Sequence, residues 1–230
     1  MKLYPVVHMK SNEHALELSQ QAFEAGADGV FLIDHISPRV SDVLTNAYNH
    51  VRSSLGREAF IGLNYLGLSP GDVVAYLAAA QAEDFIETLP DAVWSDDAVG
   101  GRDVVSYKRS LGLEAVRYLA GVAFKYTSSY TDNPIEAAIL AREFAPLVDV
   151  VTTSGPGTGS AADVAKVAAM KAAIGSQELA LASGVSLDNI EDYRPYVDTV
   201  LAASSIETYS YSGEFIDSKL RDLVQAAHRA

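Results

Sequence analysis

Two sets of residues in this 230-residue chain could do chemistry. The first is rich in glycine and hydroxyls. Residues 148–160 read VDVVTTSGPGTGS, residues 180–185 read ALASGV, and residues 200–205 read VLAASS. Gly155, Gly157 and Gly159 let the backbone approach a ligand closely, and Thr153, Ser154, Thr158 and Ser160 carry hydroxyls to donate. A helix following such a loop presents unpaired N–H groups, so a phosphate is the guest this stretch suits. The second set is scattered: His8, Asp34, His35, Asn64, Asp96, Asp97 and Lys125 each close a short apolar run. A carboxylate there can act as acid or base, a lysine can neutralise developing charge or attack a carbonyl, and an asparagine can orient a substrate.

Such scattered residues meet only if the runs before them are strands of one sheet. The expected strands cover residues 3–9, 29–36, 59–66, 91–98 and 118–126 and open the segments 148–160, 180–185 and 200–205, each rich in β-branched or small apolar residues. Helical patterns separate them. Residues 11–25 open with Ser11 or Asn12 as cap and stop at Gly26; residues 37–55 open with Ser37-Pro38; Ser69-Pro70-Gly71-Asp72 starts the next. Further helices are expected over 104–110, 135–144 (capped near Asp132 or Asn133), 161–174, 187–196 and 214–227. Strand and helix alternate eight times without a linker, and such alternation requires parallel strands. The expected architecture is a single (β/α)8 TIM barrel over residues 1–230, preferred to an open doubly wound sheet because no GxGxxG follows the first strand.

In a barrel, strand carboxyl ends converge on one mouth, so both sets would share it. Side chains alternate along a strand, which admits one member of Asp34/His35 and one of Asp96/Asp97. Asp34 and Asp96 are taken as the inward members. They would serve as acid/base groups or, with a substrate phosphate, hold Mg²⁺, although no spaced ligand motif marks a metal site. Lys125 is read as an electrostatic partner, Asn64 as an orienting group and His8 as a further mouth residue. Tyr65, Tyr126 and Tyr130 could stack on a base or sugar, and TYSYSG at 208–213 could close the site. His14, His50 and His228 fall in helical segments and read as surface.

Composition narrows the classes. Thirty acidic against 17 basic residues give a formal charge of −13 with no basic run, which argues against nucleic-acid or anionic-membrane binding. The absence of cysteine excludes disulfides, zinc–thiolate sites and a thiol nucleophile. No apolar run reaches the length of a signal peptide or a membrane helix, so a cytoplasmic protein is expected. Barrels of this size often associate through their outer helices, making a homo-oligomer a reasonable expectation.

The runs VDVVTTSGPGTG, ASGVSLDNIEDY and VDTVLAASSIE together resemble the BtpA/SgcQ family of barrel enzymes, with its Thr-Gly-rich loop, its Ser-Gly-Val-Thr-like turn and its Gly-Ser-like end to the last strand. PVVHM and IGLNYL are similar to that family's first and third strands. The chain departs from it in carrying Asp34-His35 for a Glu-Asn pair, Lys125-Tyr126 for Lys-His, and Ala203-Ser204-Ser205 without the usual glycine. Ser183-Gly184-Val185 and Ser204-Ser205 also resemble the phosphate grip of barrels that handle phosphorylated sugars and nucleotides. The resemblance implies a phosphate-binding barrel, and some family members are tied to photosystem assembly. The expected function is glycosyl or phosphoribosyl transfer on a phosphorylated sugar or nucleotide. A sugar-phosphate isomerase or aldolase-type lyase, and a non-catalytic assembly factor on a barrel scaffold, are the alternatives.

Overall fold

The computed structural model describes residues 1–37, 41–101 and 104–229. Eight parallel strands close into a barrel in sequence order. They are β1 (Lys2–His8), β2 (Val30–Ile33), β3 (Ile61–Asn64), β4 (Ala92–Ser95), β5 (Arg117–Gly121), β6 (Val150–Thr153), β7 (Leu179–Ala182) and β8 (Thr199–Ala202). Pairing of β1 with β8, Leu3 opposite Val200, completes the ring. The outer helices are α1 (Asn12–Glu24), α2 (Ser41–Leu55), α3 (Pro70–Ala82), α4 (Val104–Ser110), α5 (Pro134–Phe144), α6 (Val164–Ile174), α7 (Ile190–Tyr193) and α8 (Asp217–His228). No helix among the described residues is long and apolar enough to cross a membrane.

Caps explain where helices begin. Ser11 accepts the N–H of His14 ahead of α1, Ser69 that of Asp72 ahead of α3, Asn133 those of Ile135 and Glu136 ahead of α5, and Asp163 that of Ala165 ahead of α6. The expected α6 start at residue 161 therefore moves three residues on, and α7 shrinks to one turn. Pro38, expected to open α2, lies outside the described residues. The expected fifth strand is cut back furthest at its carboxyl end. It stops at Gly121, where a side chain would run into the carbonyl of Asp96, and the chain then turns through left-handed Ala123 (φ 49°) and Tyr126 (φ 63°). Lys125 thus lies in a loop, not at a strand end.

Alternation sorts the core into two layers. Tyr4, Val6, Phe31, Ile33, Ala92, Trp94, Leu119, Val150, Ala180 and Leu201 fill the barrel, while Leu3, Val7, Val30, Leu32, Leu63, Val151, Leu179 and Val200 pack outward against the helices. Each Val, Leu, Ile or Phe buried among them contributes roughly 1.5–3 kcal/mol. Gly62 has no side chain because the Phe31 ring occupies that space.

The end of the barrel where strands begin is closed by a repeated device. Asp28, Asp91, Asp149 and Asp198 stand one or two residues ahead of β2, β4, β6 and β8. Each Oδ2 accepts the N–H of a residue at the start of the preceding strand: Leu3 (2.8 Å), Ile61 (2.8 Å), Tyr118 (2.7 Å) and Leu179 (2.9 Å). The N–H of each aspartate returns a bond to the same residue's carbonyl. The same Oδ2 also meets a basic group, respectively His228, Arg52, Lys108 and Lys171, at 2.5–2.9 Å. One carboxylate thereby satisfies a strand start and a cation at once.

Candidate active site at the barrel mouth

At the opposite end the same alternation decides which side chains meet. His8 continues the inward row of Tyr4 and Val6, His35 that of Phe31 and Ile33, and Asp96 that of Ala92 and Trp94. These three residues line a cavity of about 330 Å³, together with Lys125, Tyr126, Thr158, Ser183, Ser204 and Tyr211. Its floor is apolar, from Val6, Ile33, Trp94 and Leu201. Asp34 has the opposite parity. It is 4% exposed, and its Oδ1 accepts the N–H groups of Ile36 (2.8 Å) and Ser37 (3.0 Å), making it the organiser of a turn. The inward member of that pair is therefore His35, which corrects the expectation that Asp34 points into the mouth. Among the described residues no three His, Asp or Glu side chains are grouped to hold a metal ion.

Asp96, Asn64 and Lys125 form a linked group. Asn64 is buried and donates Nδ2–H to Asp96 Oδ1 at 3.3 Å, and both border a second cavity of about 280 Å³ that shares Asp96 and Leu66 with the first. Burial pushes the Asp96 carboxyl above its ordinary range, against the opposing pull of Asn64 and Lys125. Burial likewise pushes the Lys125 ammonium down, offset by Asp96. The Lys125 N–H donates to Ser154 Oγ at 2.8 Å, and its Nζ lies 3.4 Å from Thr158 Oγ1.

Across the mouth, His8 Nδ1 lies 2.7 Å from Oε1 of Glu207, a residue 1% exposed that the sequence did not single out. Burial, and then the neighbouring His8, pushes His35 down to about 4, so it is neutral at pH 7. The Tyr211 ring packs 5.1 Å from that of His8 and 4.9 Å from that of His35, and its hydroxyl bonds Thr158 Oγ1 at 2.6 Å. The expected closing role for 208–213 thus gains a specific residue. Of the other tyrosines, Tyr126 borders the cavity with its ring largely exposed, Tyr65 is buried and bonds Thr45, and Tyr130 sits over Lys166.

The glycine and hydroxyl set divides. Thr158, Ser183 and Ser204 line the cavity, Ser183 Oγ accepts the Gly159 N–H at 2.9 Å, and Gly159 packs against Ser204. Gly157 is open, with Ser160 Oγ and Tyr126 hydroxyl nearby. Ser205 Oγ is buried without a partner. Thr153 continues the outward row of Val151, its hydroxyl donating to the Ala123 carbonyl at 3.5 Å, and it does not line the cavity. Gly155 and Gly184 are glycines because a side chain on either would overlap the Ser160 carbonyl, and Gly184 also has φ +75°; Gly155 thus approaches its own loop and Gly184, beyond β7, the neighbouring loop of β6. Behind these loops Lys166, fully buried, donates to the Ala123 and Ser154 carbonyls at 2.8 and 2.9 Å, tying the β5 and β6 loops together. Its position on α6 gave no sign of this, since helix composition alone reads it as surface.

The sequence profile of the BtpA family matches residues 12–229. The chain belongs to the BtpA family. A search of curated proteins finds no match. Among solved structures, phosphoribosyl anthranilate isomerase from Thermus thermophilus superposes over 100% of both chains at 15% identity with a TM-score of 0.66. Orotidine 5'-monophosphate decarboxylase from Methanocaldococcus jannaschii covers 99% of both at 12% identity and 0.69. A mandelate racemase/muconate lactonizing enzyme from Roseiflexus sp. matches 87% of this chain and 55% of its own at 15% and 0.59. At these identities the likeness is one of fold, and it agrees with the barrel that the BtpA profile implies.

Proposed function

We propose that this BtpA-family barrel is an enzyme that holds a phosphorylated sugar or nucleotide by its phosphate and moves protons on the attached carbon skeleton. One observation carries the reading: the two chemical sets occupy separate arcs of one ring. Thr158, Ser183 and Ser204 follow β6, β7 and β8, while His8 ends β1 and Asp96 and Lys125 follow β4 and β5. Hydroxyls and loop N–H groups suit a phosphate on one side. A histidine, a carboxyl inclined to keep its proton and a cation suit a carbonyl or hydroxyl on the other. Phosphoribosyl anthranilate isomerase and orotidine 5'-monophosphate decarboxylase, which match this chain over their full length, act by their names on a phosphoribosyl compound and a nucleoside monophosphate, the ligand class this reading calls for.

Isomerase-type chemistry on a sugar phosphate is favoured over glycosyl or phosphoribosyl transfer. Transfer calls for carboxylates flanking an anomeric carbon, but Asp34 is turned away and Asp96 has a lysine as neighbour, which opposes a developing oxocarbenium. Proton abstraction beside a carbonyl uses the groups present: His8 as base, Lys125 to stabilise the enolate oxygen and Asp96 to return a proton. Transfer keeps one supporting feature, the exposed Tyr126 ring at the rim, on which a base could stack.

The test is a thermal-shift screen against inorganic phosphate, sugar phosphates, nucleotides and phosphoribosyl pyrophosphate, with and without Mg²⁺. A ligand at a hundredfold its Kd stabilises by about 2.7 kcal/mol. Hits would then be incubated in D₂O. Deuterium entering a carbon position of a sugar phosphate supports proton transfer; release of pyrophosphate or phosphate without such exchange supports glycosyl transfer. No stabilisation by any phosphorylated compound would move the weight to a non-catalytic assembly role.

A further inference from the structure

Glu207 lies beyond β8 in a segment the chemistry above does not use, and it is among the most buried charged groups in the described protein. Its carboxylate receives three approaches. Oε1 meets His8 Nδ1 at 2.7 Å and the Gly213 N–H at 3.1 Å, and Oε2 accepts the Tyr211 N–H at 3.0 Å. The two backbone groups can only donate. An ionised carboxylate can only accept, so the proton in the third contact belongs to His8 Nδ1. Neutral His8 then has a bare Nε2, the form in which it can take a proton from substrate.

The backbone bonds have a second effect. Residues 208–214 leave and return to one place, because Thr208 N–H bonds the Glu214 carbonyl (3.0 Å) and Ile216 N–H that of Ile206 (2.7 Å). Within this strap Tyr211 adopts a left-handed conformation (φ 65°), and Gly213 sits so close to the end of β1 that a side chain there would press on the His8 carbonyl. The φ of Tyr211 is costly and persists only because surrounding bonds hold it. Glu207 supplies two of them.

We propose that Glu207 is a positioning residue: one buried carboxylate sets His8 in the Nδ1–H form and pins the 208–214 strap so that Tyr211 covers His8 and His35 and reaches Thr158. The inference rests on His8 being the base of the proposed site, but its geometry can be checked without any ligand. Glutamine cannot replace it. An amide accepts on one oxygen only, so Gln at 207 loses the Tyr211 bond if its oxygen faces His8; if it faces Tyr211, the Gly213 bond is lost and the amide N–H donates to His8 Nδ1, which turns His8 to the Nε2–H form.

Ring-¹⁵N-histidine NMR of the full chain distinguishes the tautomers among its five histidines, with His8→Asn used only to assign the His8 signal. Wild type should show neutral His8 protonated at Nδ1. In Glu207→Gln, either the Nδ1–H form is lost or the Tyr211 amide exchanges with solvent on the order of tenfold faster, matching the loss of a hydrogen bond to a charged acceptor. A Glu207→Gln protein that keeps both the tautomer and the Tyr211 protection overturns the proposal. Should the variant fail to fold, wild-type His8 protonated at Nε2 overturns it alone. Because no phosphorylated compound enters, failure here leaves the phosphate reading standing, and failure of the ligand screen leaves this result standing.

Discussion

The two ends of the barrel are built from similar residues to opposite effect. Where the strands begin, Asp91 meets Arg52 at 2.5 Å while accepting the Ile61 N–H, and Asp149 does the same for Lys108 and Tyr118. Where the strands end, Lys125 touches a threonine hydroxyl at 3.4 Å, Asp96 has an asparagine and a cation displaced from it, and Ser205 Oγ has no partner. Left-handed non-glycine residues cluster there too: Ala123, Tyr126, Ser183 and Tyr211. Saturated ion pairs make one end a clasp. Incompletely met polar groups on strained loops make the other a receptor, since what the protein leaves unpaired a ligand can pair.

The contrast can be broken most severely at the clasp. Asp91→Ala should lower unfolding stability by about 3 kcal/mol, because it leaves the buried Arg52 guanidinium on carbonyls and a tyrosine hydroxyl without its carboxylate and frees a strand-start N–H; chemical denaturation measures it. Lys125→Met should do the reverse, leaving stability within about 1 kcal/mol of wild type, since burial already works against its charge, while turnover of any phosphorylated substrate falls about 10²-fold or more. An unstable Lys125→Met protein would erase the distinction between the ends.

A third experiment compares two buried lysines. Lys108 has Asp149 at 2.6 Å, whereas Lys166 has carbonyls and only a distant Asp132 at 3.7 Å. Burial pushes Lys166 down from 10.5 to about 8. Between those values the unfolded chain holds a proton that the folded chain has released, so stability rises with pH in that window, by up to about 3 kcal/mol, and the full penalty stands below it. Lys166→Met should remove this rise; equal slopes in denaturation series from pH 7.5 to 10.5 would refute it. The smallest effect is expected for Ser183→Gly. Relief of the positive φ, worth about 1 kcal/mol, offsets the lost bond to Gly159, so the melting temperature should barely move while phosphate-ester affinity drops about tenfold.

Position in the chain made much of this legible. Eight apolar runs alternating with capped helical patterns specified parallel strands with helices outside them, because such strands bury both faces, and eight units without a GxGxxG after the first strand favoured a closed barrel over an open sheet. That Thr158, Ser183 and Ser204 share a mouth with His8, Asp96 and Lys125 followed from the rule that strand ends converge. Parity is legible too: counting on from inward Phe31 and Ile33 brings His35 inward and turns Asp34 to the other face.

What no reading along the chain could reach was pairing across it. Glu207 stands 199 residues from His8, Lys166 reaches carbonyls 43 and 12 residues away, and Asp91 meets Arg52 across 39. Composition and periodicity report which face of an element is apolar. Whether a charged side chain ends in water, on a carbonyl or against a histidine depends on what the closed barrel brings within 3 Å of it, and only the tertiary structure decides that.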